Sequence, residues 1–389
     1  MKKYLVGEEY LVTHRVMKKN SGQRLDRFLM DRYRRRSREQ LKRAIEVGAI
    51  TVERQGAHHP AGKIKPSFCI QDGDLIRVLS KKRAEPEVNF DYQILYEDED
   101  ILVVDKPPNL PVHPAGRFFF NTLLIHLKTR GFQNELESER TLFLVHRIDK
   151  ETSGILLLAK SKEACFNLTD QFKFRKTDKY YLAIVKGTPH APSFDVNQPL
   201  GKIKGSRIGL KMYLVPEAEG GQSALTHFET IETRTGKLGT FSLVACFPRT
   251  GRQHQIRVHA EASGIPLVGD KLYGLSEDAA IALLDHNRED SHSTASPEPI
   301  LEEQEVLEEN LEFEDFPPFE IPDPTSNLYA ETEAKLLIPR HALHAAGLRF
   351  THPRTLKEMV FESPFPKDLL NFFERLEDAK LAPFRTKHW

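Results

Sequence analysis

Within His146-Arg147-Ile148-Asp149-Lys150-Glu151-Thr152-Ser153-Gly154, one carboxylate lies beside an arginine and a histidine, between the apolar runs 142–145 and 155–158. Short apolar runs bounded by turn residues predict buried strands. Thr152-Ser153-Gly154 supplies the turn chemistry between them. Asp149 is therefore predicted where two core strands meet. An unpaired buried charge is costly, so a carboxylate there is ion-paired, hydrogen-bonded or used in chemistry. On a strand, Arg147 and Asp149 would share a face, roughly 7 Å apart. No P-loop, dinucleotide fingerprint or Ser-His-Asp ordering accompanies this stretch. The pairs His254/His259 and His341/His344 lack a Cys, Asp or Glu to complete a metal site. No metal and no cofactor is expected.

The chain that must position Asp149 has 389 residues, 39% hydrophobic and 29% charged, enough for two or three globular domains. No apolar run approaches the roughly 20 residues of a membrane helix, so no membrane partner is expected. The N-terminus lacks an apolar signal region. Cys69, Cys165 and Cys246 are far apart and odd in number. They are expected as buried apolar residues in a reducing compartment, the cytoplasm. The formal net charge of zero conceals an asymmetry. Residues 275–334 hold 18 acidic residues against one basic, and the rest holds 55 basic against 38 acidic. A basic body favours a polyanionic partner.

Residues 1–20 form a leader of unassigned role. Residues 21–80 form a basic unit with 13 Lys/Arg against 7 Asp/Glu. There Leu25, Phe28 and Leu29 mark one helix. Ser37 caps a second, which presents Leu41, Ala44 and Ile45 and stops at Gly48. Strands are predicted at 50–52 and 75–78. Arg32, Arg34, Arg35, Arg36, Arg38, Lys42 and Arg43 crowd the helix junction, and so many cations with few acids favour a phosphate partner. A linker is expected at 81–89, and a catalytic domain at 90–389, interrupted by the acidic segment 275–334. That segment reads as a solvated insertion, with Ile300, Leu307 and Leu311 as candidates for a docked helix. Alternating strand and helix patterns predict an α+β domain with a mixed sheet.

HRIDKETSG resembles the HRLDxxTSG motif of the RluA-type pseudouridine synthases, with Ile148 in place of Leu. Three further segments follow in that family's order. They are Tyr96 to Pro108 with Leu110-Pro111-Val112-His113-Pro114, then Lys179 to Gly187, then Arg249-Thr250-Gly251-Arg252-Gln253-His254-Gln255-Ile256-Arg257-Val258-His259 with Gly264 to Gly274. Residues 21–80 resemble the RNA-binding domain named for ribosomal small-subunit protein four. The first resemblance implies a largely antiparallel central sheet and isomerisation of uridine to pseudouridine, with no redox change and no electron carrier.

The resemblance also assigns residues. Asp149 matches the nucleophile. Tyr181 matches the tyrosine that packs against the target base, with a hydroxyl suited to proton transfer. Arg257 matches the arginine that keeps the carboxylate ionised, with Arg252 second. A base inside a helix cannot reach a buried carboxylate, so it must be flipped out, and Arg147 is placed to fill the vacated stack or hold a phosphate. His146, Thr152, Lys106 and His113 are expected as RNA contacts or supports. The partner is expected to be structured RNA, large-subunit ribosomal RNA before transfer RNA, and the protein a monomer. Two other classes remain open. A non-catalytic RNA-binding or assembly factor has no need of Asp149, and a glycoside hydrolase needs a second acid that no motif nominates.

Overall fold

The computed structural model describes residues 2–6, 9–33, 37–54, 57–59, 64–81, 85–116, 118–129, 141–289, 332 and 336–376. They divide into two compact units, one up to Lys81 and one from Glu85 onward.

The first unit packs α1 (Leu25–Arg32) and α2 (Arg38–Glu46) with an antiparallel sheet. Its strands are β1 (Lys2–Val6), β2 (Glu9–Arg15), β3 (Ile50–Arg54), β4 (Ala57–His59) and β5 (Leu75–Lys81), in the order β1-β2-β5-β3-β4. Leu25, Phe28, Leu29, Leu41 and Ile45 are buried, the two helical faces expected from their spacing. Ser37 closes a capping box with Gln40, which satisfies two backbone N–H groups at the α2 N-terminus. Residues 1–20 do not stand apart as a leader, because β2 pairs with β5 from Glu9↔Lys81 to Arg15↔Leu75. Their alternating apolar residues read as a strand only once that partner, more than 60 positions away, is known.

The linker expected at 81–89 is shorter than its polar composition suggests. The Glu85 carboxylate accepts the N–H groups of Phe119, Phe120 and Asn121, and Asn89 N donates to Asn109 O (3.2 Å). Residues 85–89 thus belong to the second unit.

That unit is an α+β structure around a ten-stranded sheet, and all but one of its described pairings are antiparallel. The main path runs β11 (Ser193–Asn197), β14 (Leu225–Gly236), β15 (Gly239–Pro248), β10 (Asp178–Lys186), β16 (Leu343–Thr351), β9 (Ser153–Ala159), β7 (Ile101–Lys106) and β6 (Gln93–Glu97). β17 (Glu358–Glu362) pairs with β16 and β8 (Phe143–Leu144) with β9, while β12 (Leu200–Gly201) and β13 (Tyr213–Leu214) make a separate ribbon. The helices are α3 (Leu123–Thr129), α4 (Lys162–Lys173), α5 (Gln255–Ala262), α6 (Glu277–Glu289) and α7 (Lys367–Glu374).

Every residue of β9 is buried. Leu156 and Leu158 pack with Leu102, Val104, Leu110 and Leu123 on one face; Ile155 and Leu157 pack with Val103, Ala164 and Leu168 on the other. Each buried Leu contributes about 1.5–3 kcal/mol, so the loop entering β9 is anchored to the firmest part of the sheet.

The incoming strand expected before Asp149 shrinks to Phe143–Leu144, and residues 145–152 are irregular backbone. The edge of β9 at Ser153 and Gly154 is taken by β16, which pairs in parallel at His344↔Ser153 and Ala345↔Gly154. Val145 and Ile148 are buried by packing rather than by strand pairing. Ser153 and Gly154 begin β9 instead of making a turn. Gly154 has φ +107, and a Cβ there would lie 2.2 Å from Ala345 O. We expect Gly154→Ala to lower the urea midpoint far more than Gly205→Ala. Gly205 shares a positive φ (+84) but has nothing within 4 Å, so only the conformational strain of about 1–3 kcal/mol applies there. Equal shifts would show that β16 yields at Ala345.

The acidic insertion begins later than its charge pattern suggests. Ala279, Ala280, Ile281 and Leu283 of α6 are buried, and Ala280 and Ile281 pack with Leu200, Ile208, Ala224, Val258 and Tyr273. α6 is thus docked through residues other than those expected to form such a helix. Ile300, Leu307 and Leu311 lie outside the described residues.

Candidate active site

Asp149 sits on the irregular loop entering β9, directly after the buried Ile148. Thr152 N donates to Asp149 O (3.1 Å). The next carbonyl, Lys150 O, accepts from Lys106 Nζ (3.1 Å) and Leu110 N (3.1 Å). Lys106 is fully buried and also donates to Pro107 O (2.8 Å); burial, then Arg340, pushes its ammonium down to about 7. Thr152 Oγ1 and His341 Nε2 are 2.8 Å apart. Glu151 is held by Lys271 Nζ (2.5 Å) and by His341 N (3.2 Å). Lys106 and Thr152, expected as RNA contacts or supports, thus brace the loop from inside.

Arg257 projects from the first turn of α5, which His254 opens with φ 55. Its Nη1 donates to Asp149 Oδ2 (2.9 Å), while Nε and Nη2 donate to Asp270 Oδ2 (2.7 Å) and Oδ1 (2.8 Å). Asp270 Oδ1 also accepts Leu272 N and Tyr273 N. The guanidinium carbon lies 4.9 Å from the Tyr273 ring centroid. Two arms of a rigid planar fork are therefore fixed by a buried carboxylate, which aims the third at Asp149.

Burial alone would push the Asp149 carboxyl up. The groups around it, His254 and Arg257 foremost, outweigh burial and hold it well below the usual carboxylate range. Burial keeps His254 and His341 down to about 4, so Arg257 is the charge that remains at neutral pH. Burial opposes ionisation of Asp270 too, yet Arg257 holds it down to about 2. The Asp149 side chain is 27% exposed. Its Oδ1 has no hydrogen-bond partner among the described residues.

Tyr181 lies on β10, across from a bulge in β16. Tyr180 pairs with Gly347 but Tyr181 with Ala345, which leaves Ala346 as the extra residue. Tyr180 turns to the opposite face and stacks on Phe247, centroids 5.4 Å apart. Burial, then the nearby Asp149 charge, pushes the Tyr181 phenol well above its usual value, so it keeps its proton at neutral pH. The structure brings Asp149, Tyr181 and Arg257 together.

The other candidates separate. Arg147 is exposed on irregular backbone, not on a strand face with Asp149, and its Nη1 is 3.4 Å from His113 Nε2. Arg252 is exposed, with Nε donating to Ser223 O (3.1 Å). His146 is turned inward, unlike an RNA contact. Its Nε2 accepts Leu157 N (2.9 Å), its ring stacks on Phe172, and burial followed by Lys179 lowers it to about 3. In the first unit, Arg38 donates to the buried Asp26 (3.1 Å), Lys42 pairs with Glu39 (3.5 Å), and Arg32 lies over Phe28. Arg43 is exposed, and Arg34, Arg35 and Arg36 lie outside the described residues. Asp98, Asp100 and His352 bring ligand-type atoms within 4.8 Å of one another. Arg354 holds Asp100 (2.6 Å), and Tyr96 and His352 hold Asp98, so that cluster is a structural brace.

Sequence reasoning passed over Asp270, Tyr273, Glu151 and His341. Asp270 and Tyr273 stand in a quoted segment, Gly269-Asp270-Lys271-Leu272-Tyr273-Gly274, but nothing local pairs them with Arg257.

The family described as RNA pseudouridylate synthase matches residues 100–262. Ribosomal large subunit pseudouridine synthase D of Zymomonas mobilis is 33% identical over 359 residues, 91% of this chain and 94% of that protein. The mitochondrial tRNA pseudouridine(32) synthase of Saccharomyces cerevisiae is 34% identical over 248 residues, covering 63% of this chain and 49% of the yeast protein. The solved structure of human RNA Pseudouridylate Synthase Domain Containing 4 is 25% identical, covers 73% of this chain and 92% of its own, and has a TM-score of 0.47. With a relative this similar along nearly its whole length, this chain belongs to the RluA-type family of RNA pseudouridine synthases, enzymes that isomerise uridine to pseudouridine.

Proposed function

We propose that this enzyme isomerises uridines of large-subunit ribosomal RNA with Asp149 as the nucleophile. One observation carries the reading: one oxygen of Asp149 is held by Arg257, and the other has no partner among the described residues. A carboxylate kept ionised in this way can attack a uridine. Related proteins named for the ribosomal large subunit and matching nearly the full chain favour that substrate over transfer RNA. The direct test incubates the purified protein with ribosomal and transfer RNA transcripts and maps pseudouridine. Conversion of transfer RNA alone would overturn the substrate assignment.

Tyr181 acts on the flipped base through its ring and its hydroxyl, which donates a hydrogen bond because it stays protonated. We expect Tyr181→Phe to fold and bind RNA within about threefold of wild type while turnover falls on the order of 10²-fold, the lower range for a proton-transfer or donor group. A wild-type rate in single-turnover assays would reduce Tyr181 to packing.

The first unit is an RNA-binding module resembling that of ribosomal small-subunit protein four. Its helices expose Arg43 and Lys42. Removal of residues 1–84 is expected to leave a folded, weaker enzyme. The log–log salt slope of RNA binding should fall by about 0.7–0.9 for each lost phosphate contact. An unchanged slope in filter-binding titrations would show that the unit does not touch RNA phosphates.

A further inference from the structure

Two residues before Tyr181 on β10, Lys179 projects from the same side of the strand, roughly 7 Å away along it. Its Nζ donates to Thr250 O (2.7 Å), on the loop leading to α5. An ammonium has three donors, and the other two have no partner among the described residues. The neighbouring Gly251 presents no side chain, and even a Cβ there would stay 3.7 Å from Nζ. Arg252 follows on that loop, exposed, with Nε donating to Ser223 O (3.1 Å) and no other side-chain hydrogen bond among the described residues. Arg175 lies four residues before Lys179, just past α4. It is exposed, with φ 58, an uncommon conformation for a residue with a side chain.

Burial, then the charges of Arg252 and Arg175, lowers the Lys179 ammonium to about 8. Among the described residues no carboxylate pairs with any of the three, whereas Arg249 beside them does reach Asp178 (3.5 Å). An ammonium held at the Arg252 loop, repelled by two arginines and with donors left over, is stabilised by an anion. Resting on the reading of this chain as an RNA-modifying enzyme, we propose that Arg175, Lys179 and Arg252 form a phosphate subsite for the RNA backbone beside the uridine at Asp149. Three segments of the second unit build it, so it is independent of the basic helices of the first. It would fix the strand's register, so that the target base meets Tyr181 and Asp149.

The test titrates the full-length protein with a single-stranded eight-nucleotide oligouridine at several salt concentrations. Arg175→Gln, Lys179→Gln and Arg252→Gln should each lower the log–log salt slope by about 0.7, the increment for one phosphate contact on a single strand. Lys179→Arg, which keeps the charge, should retain the wild-type slope. Unchanged slopes in all three Gln variants would overturn the subsite. So would an equal weakening at every salt concentration, the mark of a structural defect. If Lys179→Gln unfolds, the exposed Arg175 carries the same test. Pseudouridine formation by the wild type on a ribosomal transcript is measured in parallel. Turnover with unchanged slopes refutes the subsite alone. Shifted slopes with no turnover refute the ribosomal RNA assignment and leave the subsite standing.

Discussion

Asp149→Asn is expected to remove isomerisation, with turnover reduced at least about 10⁴-fold, while RNA affinity stays within about tenfold. The expectation has two sources. Amide substitution keeps the shape of the side chain and can still accept from Arg257 Nη1, now 2.9 Å from Oδ2, but it removes the negative charge that makes the group a nucleophile. Affinity comes chiefly from cations that neutralise phosphates at other positions. The loop should survive, because its anchors are the Lys150 carbonyl, Thr152 and Glu151 rather than the Asp149 charge. Pseudouridine mapping under single-turnover conditions checks the first half, and filter binding the second. Turnover retained in the purified variant would remove Asp149 from the chemistry.

Asp270→Leu should be the most damaging single change outside Asp149. Asp270 is fully buried and holds two arms of Arg257. Removing one partner of such a pair leaves an uncompensated buried charge and costs about 3–5 kcal/mol. For a unit of this size that is a loss on the order of 10 °C in Tm. Freed on that side, Arg257 can turn both of its arms to Asp149 and cover the free Oδ1, so the folded fraction should also lose turnover. The double variant Asp270→Leu/Arg257→Met discriminates. It removes the orphan guanidinium, but it also takes from the partly exposed Asp149 its cation, so it should regain part of the stability and none of the activity. If the single variant melts with the wild type, the pair carries no net stability. The pH dependence follows from the folded value of Asp270, lowered to about 2 from an ordinary 3.8. A depressed carboxylate contributes stability that is present above its unfolded pKa and is lost as pH falls through the folded one. The gap between wild type and Asp270→Leu should be flat from pH 5 to 8 and close between about pH 4 and 2.

The two kinds of residue differ in how far they were legible. Asp149, Tyr181 and Arg257 could be named because each lies in a short, distinctive stretch. The helices of the first unit were legible because capping and apolar spacing are local properties. What failed were readings of local pattern that a distant partner overrides. The strand expected before Asp149 is irregular because β16, some 190 positions later, occupies the edge of β9. Gly154 looked like a turn residue but is required by the approach of Ala345 O. Residues 9–15 looked like a leader because β5 was not in view. His146 looked available to RNA, yet Phe172 and Leu157 claim its ring. Acidic composition concealed the apolar face of α6, since Ala279, Ala280, Ile281 and Leu283 occupy few positions among many charges.

β10 and β9, which carry Tyr181 and lead from Asp149, do not pair with each other; β16 lies between them. The wedge comes from residues 343–351 of a 389-residue chain. During synthesis, then, Asp149, Tyr181 and Arg257 all leave the ribosome well before the strand that brings the two halves into register. A nascent chain halted between Arg257 and that strand holds Asp149, Tyr181 and Arg257 but not the strand that joins β10 to β9. Activity in the cell is thereby tied to completed translation, and a premature stop codon as late as residue 340 should act as a null allele.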